Sequence, residues 1–134
     1  MDKNIKPLKN IKVLDLTHML SGPYGSMILA DLGCEVIKIE PPKKGEGTRR
    51  LLENDPDYSH NGMGAYFYTL NRNKKSVAID LKNQLGIEIF YELIKKADVV
   101  ISNFSAGVTK KLKIDFDTLK KFNPKIITCT VSGF

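Results

Sequence analysis

The sequence has no tryptophan, two cysteines, two histidines and three arginines among its 134 residues. Each scarcity excludes something. With Cys34 and Cys129 far apart and no Cys-x-x-Cys, neither a disulfide framework nor a metal site is expected, and both cysteines read as small apolar side chains. The formal charge of +6 rests on 18 Lys against 3 Arg, dispersed along most of the chain. Nucleic-acid binders gather such cations on one face and interleave aromatics, so no nucleic-acid partner is expected. The lysines read mainly as solvated helix faces and turns, with a share left for an anionic ligand. No apolar run nears the roughly 18 residues that span a bilayer, so no membrane partner is expected either. The opening Met1-Asp2-Lys3-Asn4-Ile5-Lys6 is basic with no apolar stretch behind it, unlike a secretory leader, and a cytoplasmic protein is the expectation.

What is present belongs to a globular chain, 42% hydrophobic and 27% charged, long enough for one modest domain. Ile11 to Leu16 reads as a strand. Ser21-Gly22-Pro23 reads as a helix start, with Ser as cap and Pro in the first turn, and the helix runs to Gly33. Glu35 to Glu40 alternates polar and apolar and reads as a second strand, stopped by Pro41-Pro42. From Lys43 to Met63 a surface loop is expected, and its length suggests function or mobility. Ser76 to Ile79 is a third strand. Asn83 caps a helix over Gln84–Lys96, with Leu85, Ile89 and Leu93 on one face beside Phe90 and Ile94. Asp98 to Ser102 is a fourth strand. Short helices start near Ser105 and at the Asp115 cap, and Lys125 to Val131 supplies a fifth strand. Strands alternating with helices predict an α/β fold: a Rossmann-like, doubly wound, mostly parallel sheet with helices on both faces, forming one unit over 1–134.

Nicotinamide binding needs Gly-x-Gly-x-x-Gly after the first strand, and Thr17 to Gly25 has the wrong glycine spacing, so no NAD is expected. No Walker A sequence occurs. The most informative stretch is Asn71-Arg72-Asn73-Lys74-Lys75-Ser76-Val77-Ala78-Ile79-Asp80-Leu81-Lys82. It surrounds a short strand with four cations and follows the aromatic run Tyr66-Phe67-Tyr68. Cations beside a strand end and aromatic surface suit a ligand with phosphates and a flat ring.

Together with Val13-Leu14-Asp15-Leu16-Thr17-His18 and Ala97-Asp98-Val99-Val100-Ile101-Ser102-Asn103-Phe104, this stretch resembles the N-terminal part of class III (CaiB/BaiF-type) CoA-transferases and of the related α-methylacyl-CoA racemases. Segments match in order and spacing from about Leu8 to Phe134. The resemblance implies coenzyme A as substrate, an acyl-CoA and a carboxylic acid as partners, and an interlocked homodimer in the full-length protein. It also places CoA against His18, Leu20 and Ser21, along Ile79, Asp80, Leu81 and Lys82, beside Asn103, Phe104 and Ser105, and at Lys111. Lys111 stands where the family commonly has Arg; it keeps the charge but loses the bidentate fork. Pro41 replaces a CoA-contacting Arg found in some members, and Arg49 and Arg50 resemble the family's Gly-Asp-x-x-Arg loop, with a mobile basic loop as the alternative.

In this family transfer runs through an acyl-aspartyl anhydride and an aspartyl-CoA thioester. The matching Asp is expected a few dozen residues past Phe134, so no catalytic residue is expected within the chain, and Asp15, Asp80 and Asp98 are not substitutes. The expectation is therefore the front part of a CoA-transferase. A racemase fragment and a non-catalytic CoA-binding or assembly module are the alternatives. The last strand, ending uncovered at Phe134, is expected to leave apolar surface exposed.

Overall fold

Five strands form one parallel sheet in the computed structural model, which describes residues 6–133. They are β1 (Lys12–Asp15), β2 (Glu35–Glu40), β5 (Lys74–Ala78), β6 (Val99–Ser102) and β7 (Ile127–Thr130). The two remaining strands, β3 (Ser59–His60) and β4 (Met63–Gly64), make a small antiparallel hairpin. The order in the main sheet is β5-β2-β1-β6-β7. Chain order thus runs outward from β1 in both directions, which makes the sheet doubly wound and puts a switch point between β1 and β6. Registers such as Leu14 beside Ile37 and beside Val100 make β1 the central strand.

The strand period of two sorts the side chains. One face gathers Leu14, Leu16, Ile39, Ile79 and Val100 under Ile87, Phe90 and Ile94 of helix α3 (Gln84–Ile94). Leu119 of α5 (Phe116–Leu119) joins the same cluster. The opposite face carries Val13, Val36 and Ile101 beneath Ala30 of α1 (Ser21–Asp31). That second core is small. Nearer the carboxyl edge, its face passes from apolar to ionic. The alternation in β2 does not mark a solvent face: Lys38 and Glu40 are 1% and 3% exposed.

The sequence places all five strands of the main sheet, but three local readings change. Ser21 is the first helical residue rather than the cap; Leu20 takes the cap position with no side-chain cap bond. The Gly33 end holds. Gly33 has φ +105, its N–H donates to Ala30 O, and Cys34 N–H donates to Leu29 O, a Schellman closure that glycine fits best. In α3 the Asn83 cap also holds, accepting from Leu85 N at 2.9 Å. Its buried seam, however, is Ile87–Phe90–Ile94, while Leu85 and Ile89 are 65% and 48% exposed. The expected loop over 43–63 contains a 3-10 turn, Gly47–Arg49, and the hairpin, and leads into an unforeseen helix α2 (Ala65–Asn71).

On β7, Ile127 is 61% exposed; Phe134 lies outside the described residues. Among the described residues no helix is long and apolar enough to cross a membrane.

Gly86 lies where α3 crosses the end of the loop after β5. A Cβ there would sit 2.1 Å from the Asp80 carbonyl oxygen, which is backbone and cannot swing aside. Gly86→Ala is expected to destabilise the fold by about 2 kcal/mol in urea unfolding, within the usual range for overpacking. A loss under about 0.5 kcal/mol would show that the Asp80 turn yields freely.

Candidate functional site

Ligands of open α/β sheets collect at the carboxyl edge, near the switch point. Here the crevice between β1 and β6 is stitched by one side chain. Asn103 Oδ1 accepts from His18 N–H at 2.9 Å, and Asn103 Nδ2 donates to His18 O at 2.7 Å. The amide thus imitates one more rung of backbone ladder between two diverging strands. The residue predicted to line a ligand channel here orders the protein itself.

An apolar-floored cleft opens beside this point, between the ends of β5 and β6 and short helix α4 (Val108–Lys111). It encloses about 660 Å³ over Leu81, Ile87, Phe104 and Leu112, with Lys82, Lys111 and Lys113 around it. An inner recess of about 150 Å³ adds His18, Ile79 and Asp80. Seven of the predicted residues, His18, Ile79, Asp80, Leu81, Lys82, Phe104 and Lys111, therefore border one continuous groove. Ser21, Asn103 and Ser105 line a separate hollow toward β7, with Thr130 and Ser132. Phe104 borders all three spaces and divides them. Leu20 is 54% exposed and lines none of them.

Local chemistry shapes the groove. Asp80 Oδ1 accepts from Lys82 N–H at 3.0 Å, which turns the chain after β5 and sets Lys82 at the rim. Among the described residues, neither Lys82 nor Lys111 has a carboxylate within ion-pair distance. Asn83 and Gln84 put the first turn of α3, with its partial positive charge, on the same wall. The His18 ring lies 5.7 Å from that of Phe104, tilted by 52°. Burial, then the nearby Lys38 charge, push the His18 pKa below its ordinary value of 6.5, so the ring is neutral at pH 7. Among the described residues no group of three His, Cys, Asp or Glu side chains can hold a metal ion.

The four cations that single out residues 71–82 do not converge. Arg72 pairs with Asp31 at 2.6 Å, Lys74 with Asp15 at 3.0 Å and Lys75 with Glu35 at 2.6 Å. Only Lys82 remains for the groove. Nor does the aromatic run offer a stacking surface there: Phe67 is buried in α2, and the Arg49 guanidinium covers its ring at 3.8 Å. Arg49 is no mobile basic residue. Its Nε and Nη2 both donate to the Glu40 carboxylate at 2.7 Å, a bidentate pair. Arg50 is exposed.

Sequence reasoning missed the ionic layer beneath this edge. Asp15 is fully buried and accepts from Thr17 Oγ1, Ser26 Oγ and Lys74 Nζ; Lys38 Nζ lies 3.8 Å away. Burial alone would raise the Asp15 pKa. Lys38 and Lys74, with the two hydroxyls, outweigh it and hold the carboxyl below its usual range. Burial likewise raises Glu40, but Arg49, Ser76 and the Glu46 N–H bring it down to about 2. Lys74 is pushed below its ordinary value by burial, against the opposing pull of Asp15. The one sequence signal for this layer is that Asp15, Lys38 and Glu40 interrupt strands whose parallel neighbours need two covered faces.

The sequence pattern of CoA-transferase family III matches residues 8–134. The chain is 42% identical over 128 residues to an acetyl-CoA:oxalate CoA-transferase of Acetobacter aceti, covering 96% of this chain and 32% of that protein. It is 38% identical to the succinyl-CoA:glutarate CoA-transferase of Homo sapiens, over 98% of this chain and 29% of that one. A CaiB/BaiF family protein from Brucella suis superposes with a TM-score of 0.88 at 38% identity, over 98% of this chain and 34% of the other. The chain thus spans about a third of the length of these relatives. A doubly wound sheet of this order, with matches of this extent, leads to one conclusion: the chain belongs to CoA-transferase family III.

Proposed function

We propose that the chain forms the coenzyme A-binding part of an acyl-CoA:carboxylate CoA-transferase, with an acyl-CoA and a carboxylic acid as reactants. One observation supports this most: the 660 Å³ groove joins an apolar floor to rim lysines that no carboxylate among the described residues neutralises. The floor of Leu81, Phe104 and Leu112 suits the adenine ring, and Lys82, with Lys111 beside it, suits the phosphates. The relatives' named activities, CoA transfer between carboxylic acids, support the same class.

The proposed chemistry is exchange through an enzyme aspartate. Its carboxylate attacks the donor thioester carbonyl and expels CoA thiolate, giving a mixed anhydride. The thiolate then attacks the aspartyl carbonyl and releases the donor acid. The acceptor carboxylate repeats both steps in reverse on the aspartyl thioester. Asp15, Asp80 and Asp98 are poor nucleophiles for this. Asp15 is enclosed by its lysines, while Asp80 and Asp98 accept from the Lys82 and Lys12 backbone N–H groups. The reading therefore puts the nucleophile in the part of the longer relatives beyond the stretch matched here, and an interlocked homodimer as the working assembly.

Calorimetry at low salt tests the binding half directly, with CoA against NAD. CoA is expected to bind and NAD to bind more weakly. Lys82→Ala is expected to cost about 1 kcal/mol, the worth of a charge-assisted hydrogen bond to phosphate. NAD binding as tight as CoA, or a Lys82→Ala variant with unchanged affinity, would overturn the reading.

A further inference from the structure

The turn after β1 is held in an unusual way. Five successive backbone polar groups, from Thr17 N to Met19 N, are each bonded by a side chain. Thr17 N–H donates to Asp15 Oδ1 at 2.9 Å, and Thr17 O accepts from Lys38 Nζ at 2.8 Å. His18 N–H and O are taken by Asn103. Met19 N–H donates to Glu46 Oε1 at 2.9 Å. Met19 itself has φ +70, a conformation that residues carrying a Cβ, asparagine and aspartate apart, rarely adopt. Something must hold it there, and the last bond in the series is the one that reaches it.

Glu46 is well built for this. It is fully buried, its other oxygen accepts from Thr48 Oγ1, and its own N–H donates to Glu40 Oε2 at 2.8 Å. Glu40 is in turn gripped by Arg49. The carboxylate therefore projects from a rigid segment anchored on β2. Yet that segment lies away from the groove: of residues 41–63, only Pro41 lines the main cleft or its inner recess. A buried acid aimed at one backbone N–H of a strained residue, next to a ring on the groove wall, acts on the groove at one remove.

We propose that Glu46 is a positioning residue for coenzyme A: by fixing Met19 in its left-handed conformation it sets the His18 ring against Phe104 and shapes the inner recess of the groove. This rests on the CoA reading above. The 41–63 segment is thereby coupled to a ligand it does not touch. Removal of the Glu46 carboxylate frees the Met19 amide, lets Met19 relax toward negative φ, and turns His18 away from Phe104.

Glu46→Ala and Glu46→Gln separate the possibilities. Gln is isosteric and keeps an amide oxygen for Met19 N–H, so it also guards against a variant that fails to fold. Three readouts are taken: hydrogen exchange at the Met19 amide, the nuclear Overhauser contact between the His18 and Phe104 rings, and CoA affinity by calorimetry. In the parent the amide is protected and the ring contact is present. Glu46→Ala is expected to lose both and to weaken CoA about tenfold, the factor of one buried hydrogen bond of ordinary worth. Glu46→Gln is expected to keep both and to bind CoA within about threefold of the parent. An unprotected Met19 amide in the parent would overturn the proposal. So would unchanged CoA affinity in Glu46→Ala, or a loss in Glu46→Gln as large as in Glu46→Ala. If the parent binds no CoA, the functional reading fails by itself, while the amide and ring readouts still decide whether Glu46 sets the turn.

Discussion

Asp15→Ala is expected to cost the fold about 3–5 kcal/mol, measured as the loss of unfolding free energy in urea, because it leaves buried cations without their counter-charge. Lys38 is 1% exposed, and the Lys74 side chain is equally enclosed. Once the carboxylate is gone, the partners left among the described residues are Pro23 O and Asn71 Oδ1 for Lys74 Nζ and Thr17 O for Lys38 Nζ. Neutral oxygens do not repay the lost hydration of two ammonium groups. The companion variant sharpens the argument. Replacing Asp15, Lys38 and Lys74 together by apolar residues of similar volume is expected to recover most of the loss, since a buried ion cluster is stabilising only relative to its own broken form. A single Asp15→Ala variant within about 1 kcal/mol of the parent would show that water reaches the lysines and that the layer is not the closed unit described here.

Acid is expected to weaken the fold through Glu40. Its pKa is held at about 2 in the folded chain against an ordinary 4.5, so the unfolded chain takes up the proton first. The stabilisation is complete above the unfolded value and is lost as pH falls from about 4.5 toward 2, up to about 3 kcal/mol. Asp15, also depressed, acts with the same sign below its ordinary 3.8. His18, depressed from 6.5, adds a loss that starts earlier, as pH drops through that value. Urea midpoints taken between pH 7 and 3 measure the sum. Glu40→Gln, which cannot titrate, is expected to start from a lower stability and to show a flatter decline below pH 4.5. A slope in that variant as steep as in the parent would assign the acid sensitivity to other groups.

How far the sequence can be read depends on whether a feature is local. Strands, the Asn83 and Asp115 caps, and the Gly33 stop all depend on neighbours within a few residues, and each appears where the pattern puts it. The groove residues Ile79 to Lys82 are also found, since a strand end is a local event. Partner choice is different. Lys74 and Lys82 look alike in the sequence, but register brings Lys74 against Asp15 while the Asp80 turn carries Lys82 to the rim. Helix α2 escaped because its best signal, Tyr66-Phe67-Tyr68, reads equally as strand or surface; its burial under Arg49 is settled by a residue far away. The buried face of α3 was only half found, through Phe90 and Ile94, for a related reason. Leu85–Ile89–Leu93 and Ile87–Phe90–Ile94 are both good apolar stripes, and only the sheet beneath selects between them.

The position of β1 has a consequence for how the protein is made. Of the five strands in the main sheet it is made first, yet it stays half-flanked for long, since its second neighbour, β6, is translated long after β2. While β5, β2 and β1 can already associate beneath α1, the other side of the sheet stays bare. Leu14, Leu16, Ile39 and Ile79 wait for Ile87, Phe90 and Ile94 to emerge and cover them. The nascent chain is therefore two-faced during this interval, partly covered on one side and adhesive on the other. The pace of translation between Ile79 and Ile94 sets how long that adhesive face is open to chaperones and to other nascent chains.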